Sequence, residues 1–137
     1  MVRRSRGLSR DYRVAQTFGG IVETCEGQLR TRLPNRRRSE TVEFAAGVPG
    51  YTAQIYCATL GFYNDNRLGE IFVHPTKSGS DRDIALQEAA IAISFALQHG
   101  ATLETMRLAM PRTSSGAPEG PIGTLLDILV QTMEKAA

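Results

Sequence analysis

Apolar and polar residues alternate through the middle of this chain, and the period then changes. From Glu40 to Ala46 the apolar positions recur at every second residue, with Val42 and Phe44 on one face. That spacing predicts a strand with one side buried. Val48-Pro49-Gly50 is a turn signal. Tyr51 to Tyr63 follows, rich in aromatic and β-branched residues, and predicts a long second strand. Asn64-Asp65-Asn66 turns the chain again, and Leu68 to His74 predicts a third strand. Short connections between consecutive strands imply an antiparallel meander.

Beyond residue 80 the pattern is helical. Ser80 is placed to cap a helix whose first turn holds Asp81 and Asp83, where negative charge suits the helix dipole. From Ala89 to Leu97 this segment is apolar nearly all round, the pattern of a helix buried deep in a core. Gly100 stands where a C-terminal cap belongs. A second helix is expected from about Thr102 to Met110, stopped by Pro111. After a Thr-, Ser-, Gly- and Pro-containing loop over 112–120, Pro121 opens a third helix reaching about Glu134, with Leu125, Ile128, Leu129 and Met133 as its buried side. Strands first and helices after them predict an α+β fold, a meander of about three strands with three helices packed on one face.

The N-terminal part reads differently. Residues 1–10 form a basic arm, with Arg3, Arg4, Arg6 and Arg10 among Ser and Gly, and are expected to be disordered. Residues 11–32 are an extension with two readings. Val14, Ala15 and Phe18 begin a helix that Gly19-Gly20 interrupts, or Ile21 to Cys25 form a short strand. The domain proper is expected over residues 33–137. A chain of 137 residues fits one domain. No apolar run approaches the ~20 residues that span a bilayer, so a cytoplasmic protein without a membrane partner is expected. Cys25 and Cys57 are isolated, with no CxxC pair, which argues against a disulfide framework or a zinc site.

Charge adds an asymmetry that the net value of +2 conceals. Residues 1–38 hold ten Arg against Asp11, Glu23 and Glu26, while the remaining residues are net acidic. Arg presents a planar fork of donors that fits phosphate or carboxylate bidentately. Such a segment binds a polyanion, docks on an acidic surface, or is simply solvated.

Leu33 to Leu126 carries a further signal. It opens with LPNRRRSET, passes through RLGEIFVHPTKSGSD and AAIAISFALQHGATLETMRLAM, and closes with GAPEGPIGTLLD. This series resembles the TSCPD domain, the small C-terminal domain of adenosylcobalamin-dependent ribonucleotide reductases, and the short stand-alone proteins that carry it. The resemblance implies an accessory role. The reductases' catalytic barrel, with its radical cysteine, partner cysteines and cobalamin contacts, needs far more chain than 137 residues, and the cysteine motif that names the domain is missing from the closing QTMEKAA. Catalysis by this chain alone is therefore not expected. No cofactor is expected, and adenosylcobalamin enters only by family association.

Three clusters are binding candidates. Asn35, Arg36, Arg37 and Arg38 follow Leu33-Pro34, so that three guanidinium groups fan out from an extended entry to the sheet. LPNRR is also the strongest signature of the resemblance. Arg36 and Arg38 should point one way and Arg37 the other. Glu70, within LGEIFV, is expected to pair with one of these arginines and orient it. Lys77 and Ser80 stand at the head of the long helix, where unpaired backbone donors and a cation favour an anion. Gly116 to Gly123 matches no phosphate-binding fingerprint and reads as turn chemistry. His99, beside a helix-ending Gly, is placed to meet carbonyls rather than to work as an acid or base. The expected ligand is a nucleotide-like anion or a protein partner. Nucleic acid, held through the N-terminal arginines, is the alternative, although aromatic residues are not interleaved with them as stacking platforms. Self-association into a homo-oligomer is compatible with the sequence.

Overall fold

A computed structural model describes residues 29–47, 53–76 and 81–136. Expectations for the N-terminal arm, most of the extension, the Val48-Pro49-Gly50 turn, and Lys77 and Ser80 fall outside these residues. Strands β1 (Ser39–Ala46), β2 (Gln54–Phe62) and β3 (Leu68–Pro75) precede helices α1 (Asp81–Gln98), α2 (Leu103–Ala109) and α3 (Pro121–Ala136). The strands form one antiparallel sheet in the order β1-β2-β3. The architecture is the α+β meander with three helices that the change of period predicts.

Alternation decides which side of the sheet is buried. Phe44 and Ala46 of β1, Ala58 and Leu60 of β2, and Ile71 and Val73 of β3 are buried, and Val42 and Tyr56 pack against them. Leu86, Ala90 and Ile93 of α1 and Ile122, Leu125, Leu126 and Leu129 of α3 complete the core. Leu125 and Leu126 are both fully buried. Neighbouring helix positions point about 100° apart, so α3 is covered on more than a single stripe, which explains why Leu126 joins the residues expected there. Each such side chain contributes roughly 1.5–3 kcal/mol through burial.

The turn from β2 to β3 closes tightly. Asn66 takes φ 69°, a left-handed conformation that Asn tolerates, and donates its N–H to the Tyr63 carbonyl at 3.0 Å. Helix α1 ends as expected at Gly100, whose φ of 93° suits a residue without Cβ. Ala101 N–H bonds to the Ala96 carbonyl at 2.9 Å and Gly100 N–H to the Leu97 carbonyl at 3.1 Å, the paired pattern of a Schellman cap.

Helix α1 also seals the free edge of the sheet. The Ser94 hydroxyl oxygen accepts from Ile71 N–H at 2.9 Å, and its own hydrogen has the Ile71 and Ala90 carbonyls within 3.0 Å and 2.9 Å. Gln98 Nε2 donates to the Gly69 carbonyl at 3.0 Å. An edge strand whose backbone groups are satisfied this way offers no template for further pairing there. In one respect α1 departs from the sequence pattern. Its apolar residues lie all round, yet the described residues cover one side only, and Ile84, Ile91 and Phe95 remain exposed.

Helix α2 is capped by Thr102, whose hydroxyl accepts from Thr105 N–H at 3.2 Å. It is tied to α3 through a charged cluster. Arg112 donates to both Asp127 oxygens, at 2.5 Å and 3.1 Å, and to the carbonyls of Arg107 and Gly116. Arg107 meets Glu104 through two bonds at 2.7 Å and 3.0 Å. These contacts help to organise the 112–120 loop.

Candidate anion-binding site

The segment before β1 is laid across the domain by a series of specific contacts. Arg30 donates from Nε to Gln98 Oε1 at 2.6 Å, and its guanidinium carbon stands 4.4 Å above the Phe95 ring. Thr31 N–H bonds to the Gln98 carbonyl at 2.9 Å, and the Thr31 carbonyl accepts from the Tyr63 hydroxyl. Leu33 then packs over Gly69. A Cβ at that glycine would meet Tyr63 Cε2 at 2.6 Å and Leu33 Cδ2 at 2.7 Å, so no larger residue leaves this seat intact.

After Pro34 the chain bends at Asn35 and Arg36 instead of running straight into β1. The cause is Arg37, whose guanidinium turns back into the domain. Its Nε lies 2.5 Å from Glu70 Oε1, and Nη1 donates to the Pro34 carbonyl at 3.0 Å. The Glu70 and Arg37 side chains are only 13% and 28% exposed. Gly61 makes the pairing possible. It faces Glu70 across the β2–β3 ladder, and a Cβ there would come within 2.6 Å of Glu70 Cγ and 2.9 Å of Cδ. The Glu70 side chain therefore lies over β2 through space that only glycine leaves open.

Arg38 is held differently. Its carbonyl accepts from Phe62 N–H at 3.0 Å, its guanidinium carbon sits 4.2 Å above the Phe62 ring, and Nη1 is 3.3 Å from Glu40. Arg36 is exposed and makes no ion pair among the described residues. Asn35 is exposed beside it. Despite the bend, the exposure of the three arginines alternates: Arg36 and Arg38 face solvent and Arg37 turns inward. At the adjoining hairpin, Arg67 stacks 4.9 Å from the Tyr63 ring and pairs with Asp65 at 2.7 Å. This holds the Asp65 carboxyl below the usual carboxylate range. Burial pushes the Tyr63 phenol up, partly opposed by Arg67 and Arg30. Arg36, Arg38 and Arg67 are exposed, and so is Arg32. Their guanidinium groups can donate to phosphate or carboxylate.

The structure thus brings Glu70 to the arginine cluster, on Arg37, while Lys77 and Ser80 lie outside the described residues. Gly61, Phe62 and the Pro34 carbonyl belong to the same assembly and are absent from the sequence reading. A glycine inside a strand is the signal that points to a close approach there. His99 Nδ1 lies 2.7 Å from the Phe95 carbonyl, a helix-end contact of the expected kind. Cys57 is a free, half-buried thiol. Among the described residues no three His, Cys, Asp or Glu side chains are grouped to hold a metal ion, and no helix is long and apolar enough to cross a membrane. A separate cavity of about 750 Å³ opens at the opposite end of the sheet, between Gln54 and Tyr56 of β2, Leu86 of α1 and Ile122 of α3.

The family model for the TSCPD domain matches residues 17–137. The chain belongs to the TSCPD domain family. Its relatives include vitamin B12-dependent ribonucleotide reductases. That of Bradyrhizobium diazoefficiens is 34% identical over 115 residues, covering 80% of this chain and 9% of that protein. That of Streptomyces coelicolor is 37% identical over 96 residues, 66% of this chain and 9% of that protein, and that of Rhodopirellula baltica 37% over 90 residues, 62% and 8%. The chain therefore spans about a tenth of the length of these curated relatives. No solved structure matches the chain. Within the TSCPD match fall the whole Arg30–Arg38 segment, Gly61 and Glu70.

Proposed function

We propose that this TSCPD-family chain is a non-catalytic binding module that recognises a nucleotide-like anion through Arg36 and Arg38. The observation that carries the reading is the division of labour among three consecutive arginines. Arg37 is committed to Glu70 and to the Pro34 carbonyl, and so fixes the turn. That turn holds Arg36 outward, and Arg38 is steadied on Phe62. Guanidinium groups on a fixed backbone lose less freedom when they clamp an anion than the same groups on a loose chain. The match falls in a small part of the reductases, which supports an accessory role for this domain, and that it binds no adenosylcobalamin is part of the same proposal. The same surface accepts carboxylates of a protein partner by the same chemistry.

The test is a titration of the full chain with nucleoside mono-, di- and triphosphates by calorimetry, repeated with Arg36→Ala/Arg38→Ala. The double substitution should weaken binding at least tenfold while the thermal midpoint stays near that of the parent chain. Unchanged affinity would remove the cluster from the site. The nucleic-acid alternative, through the Arg-rich N-terminal segment, is separated by salt. For a long polyanion, affinity falls by roughly one decade per decade of salt for each phosphate neutralised, whereas a small anion gives a much shallower slope.

A further inference from the structure

Three times among the described residues an arginine lies over an aromatic ring. Arg30 stands 4.4 Å from the centre of the Phe95 ring, Arg38 4.2 Å from that of Phe62 and Arg67 4.9 Å from that of Tyr63. Pairs of this kind occur roughly once per 70–80 residues, so three in this domain exceed the ordinary frequency. In each case a nitrogen at the edge of the guanidinium also meets an oxygen, of Gln98 for Arg30, Glu40 for Arg38 and Asp65 for Arg67. An edge contact and a ring below hold each group in place. The arginines are exposed all the same, the Arg38 and Arg67 side chains by 52% and 65%. What solvent reaches is the side of the guanidinium turned away from the ring.

The chemistry of an open guanidinium plane says what it recognises. The group is flat, delocalised and more weakly hydrated than an ammonium, so it stacks against other flat π-systems. Unpaired nucleobases are held on arginine planes in this way. A plane already fixed on a ring loses little freedom when a base covers its other side. Arg38 is the one of the three that stands beside a free phosphate donor. Two residues before it, Arg36 is exposed and makes no ion pair among the described residues. Their Cα atoms lie at most about 7 Å apart, a separation that one nucleotide spans between its phosphate and its base. The two side chains offer different surfaces. Arg38 turns an edge to Glu40 and keeps a plane open, whereas the donors of Arg36 are open to an anion. Phe62 is only 6% exposed, so the guanidinium above it, not the ring, is the surface a ligand meets. We propose, resting on the anion-binding role of Arg36 and Arg38, that the ligand is a nucleotide whose base stacks on the solvent side of the Arg38 guanidinium while Arg36 meets its phosphate.

The experiment compares adenosine triphosphate with inorganic tripolyphosphate, which carries the phosphates without a base, in calorimetric titrations of the full chain. Stacking of the base should make the nucleotide bind at least about fivefold more tightly. Arg38→Lys keeps the positive charge and removes the plane, so the ratio of the two affinities should fall to about one, whatever happens to the affinity they share. Nuclear Overhauser cross-peaks are expected between the adenine protons and the Arg38 δ-methylene. Equal affinities in the parent chain would overturn the inference and leave the anion site standing. A nucleotide preference that survives Arg38→Lys would also overturn it, because the base would then lie elsewhere. Failure of both ligands to bind would remove the anion site itself and this inference with it.

Discussion

Glu70 reaches Arg37 because nothing but a hydrogen stands on Gly61 between them, and this residue-scale arrangement makes a sharp prediction. Glu70→Gln removes the charge that Arg37 faces and should destabilise the fold by about 1–3 kcal/mol. Gly61→Ala should cost a similar amount by pushing Glu70 aside. Because both break the same contact, the double variant should lose clearly less than the sum of the two, as read from urea unfolding. Strict additivity would show that Gly61 does not serve this pair. Arg112, and then Arg107, hold the Asp127 carboxyl below the usual range, and Arg107 does the same for Glu104. A carboxylate whose folded-state pKa is depressed contributes stability that is present above its unfolded value, near pH 4, and lost as pH falls through the folded value. Stability should therefore decline below about pH 4, and Asp127→Asn should flatten that decline in a series of thermal midpoints against pH.

At the scale of elements, the strands were legible because one face of each is buried, and alternation reports burial directly. The ends moved by a residue or so, as β2 shows by ending at Phe62 rather than Tyr63, while the expected start at Tyr51 lies outside the described residues. The role of α1 was harder to read. Its sequence says only that it is apolar, and apolarity does not tell a helix lying under a sheet from one running beside an edge strand. Ser94 was the available clue, since a hydroxyl within an apolar run needs a partner. Ser94→Ala should leave the Ile71 backbone groups without theirs, cost about 1–3 kcal/mol, and speed amide hydrogen exchange at Ile71 more than at Leu60 in the centre of the sheet. Equal acceleration at both positions would mean the whole fold had weakened and the edge had no special dependence on Ser94. The pairing expected between Glu70 and the arginines was legible for a related reason, because an acid on a strand beside three cations has few better partners. The bend at Asn35 and Arg36 was not legible. It depends on where the Pro34 carbonyl comes to lie, which no residue type encodes.

For the whole molecule, the two ends of the sheet differ in character, with arginines gathered around the β2–β3 hairpin and a mixed cavity at the other end. If the core lies within residues 11–137, deleting residues 1–10 should shift the thermal midpoint by no more than a few degrees. The purified chain supplied with adenosylcobalamin, a reductant and ribonucleotides should form no deoxyribonucleotide. Neither result would locate the binding surface, which is the central claim. A nuclear magnetic resonance titration of the labelled full chain with a nucleoside triphosphate locates it most directly. The account predicts the largest shifts at the Arg36 and Arg38 amides and side chains and at Phe62, with Leu86 and Ile122 unmoved. Shifts concentrated at Leu86, Ile122 and Tyr56, with Arg36 and Arg38 silent, would contradict it and place the ligand in the cavity at the far end.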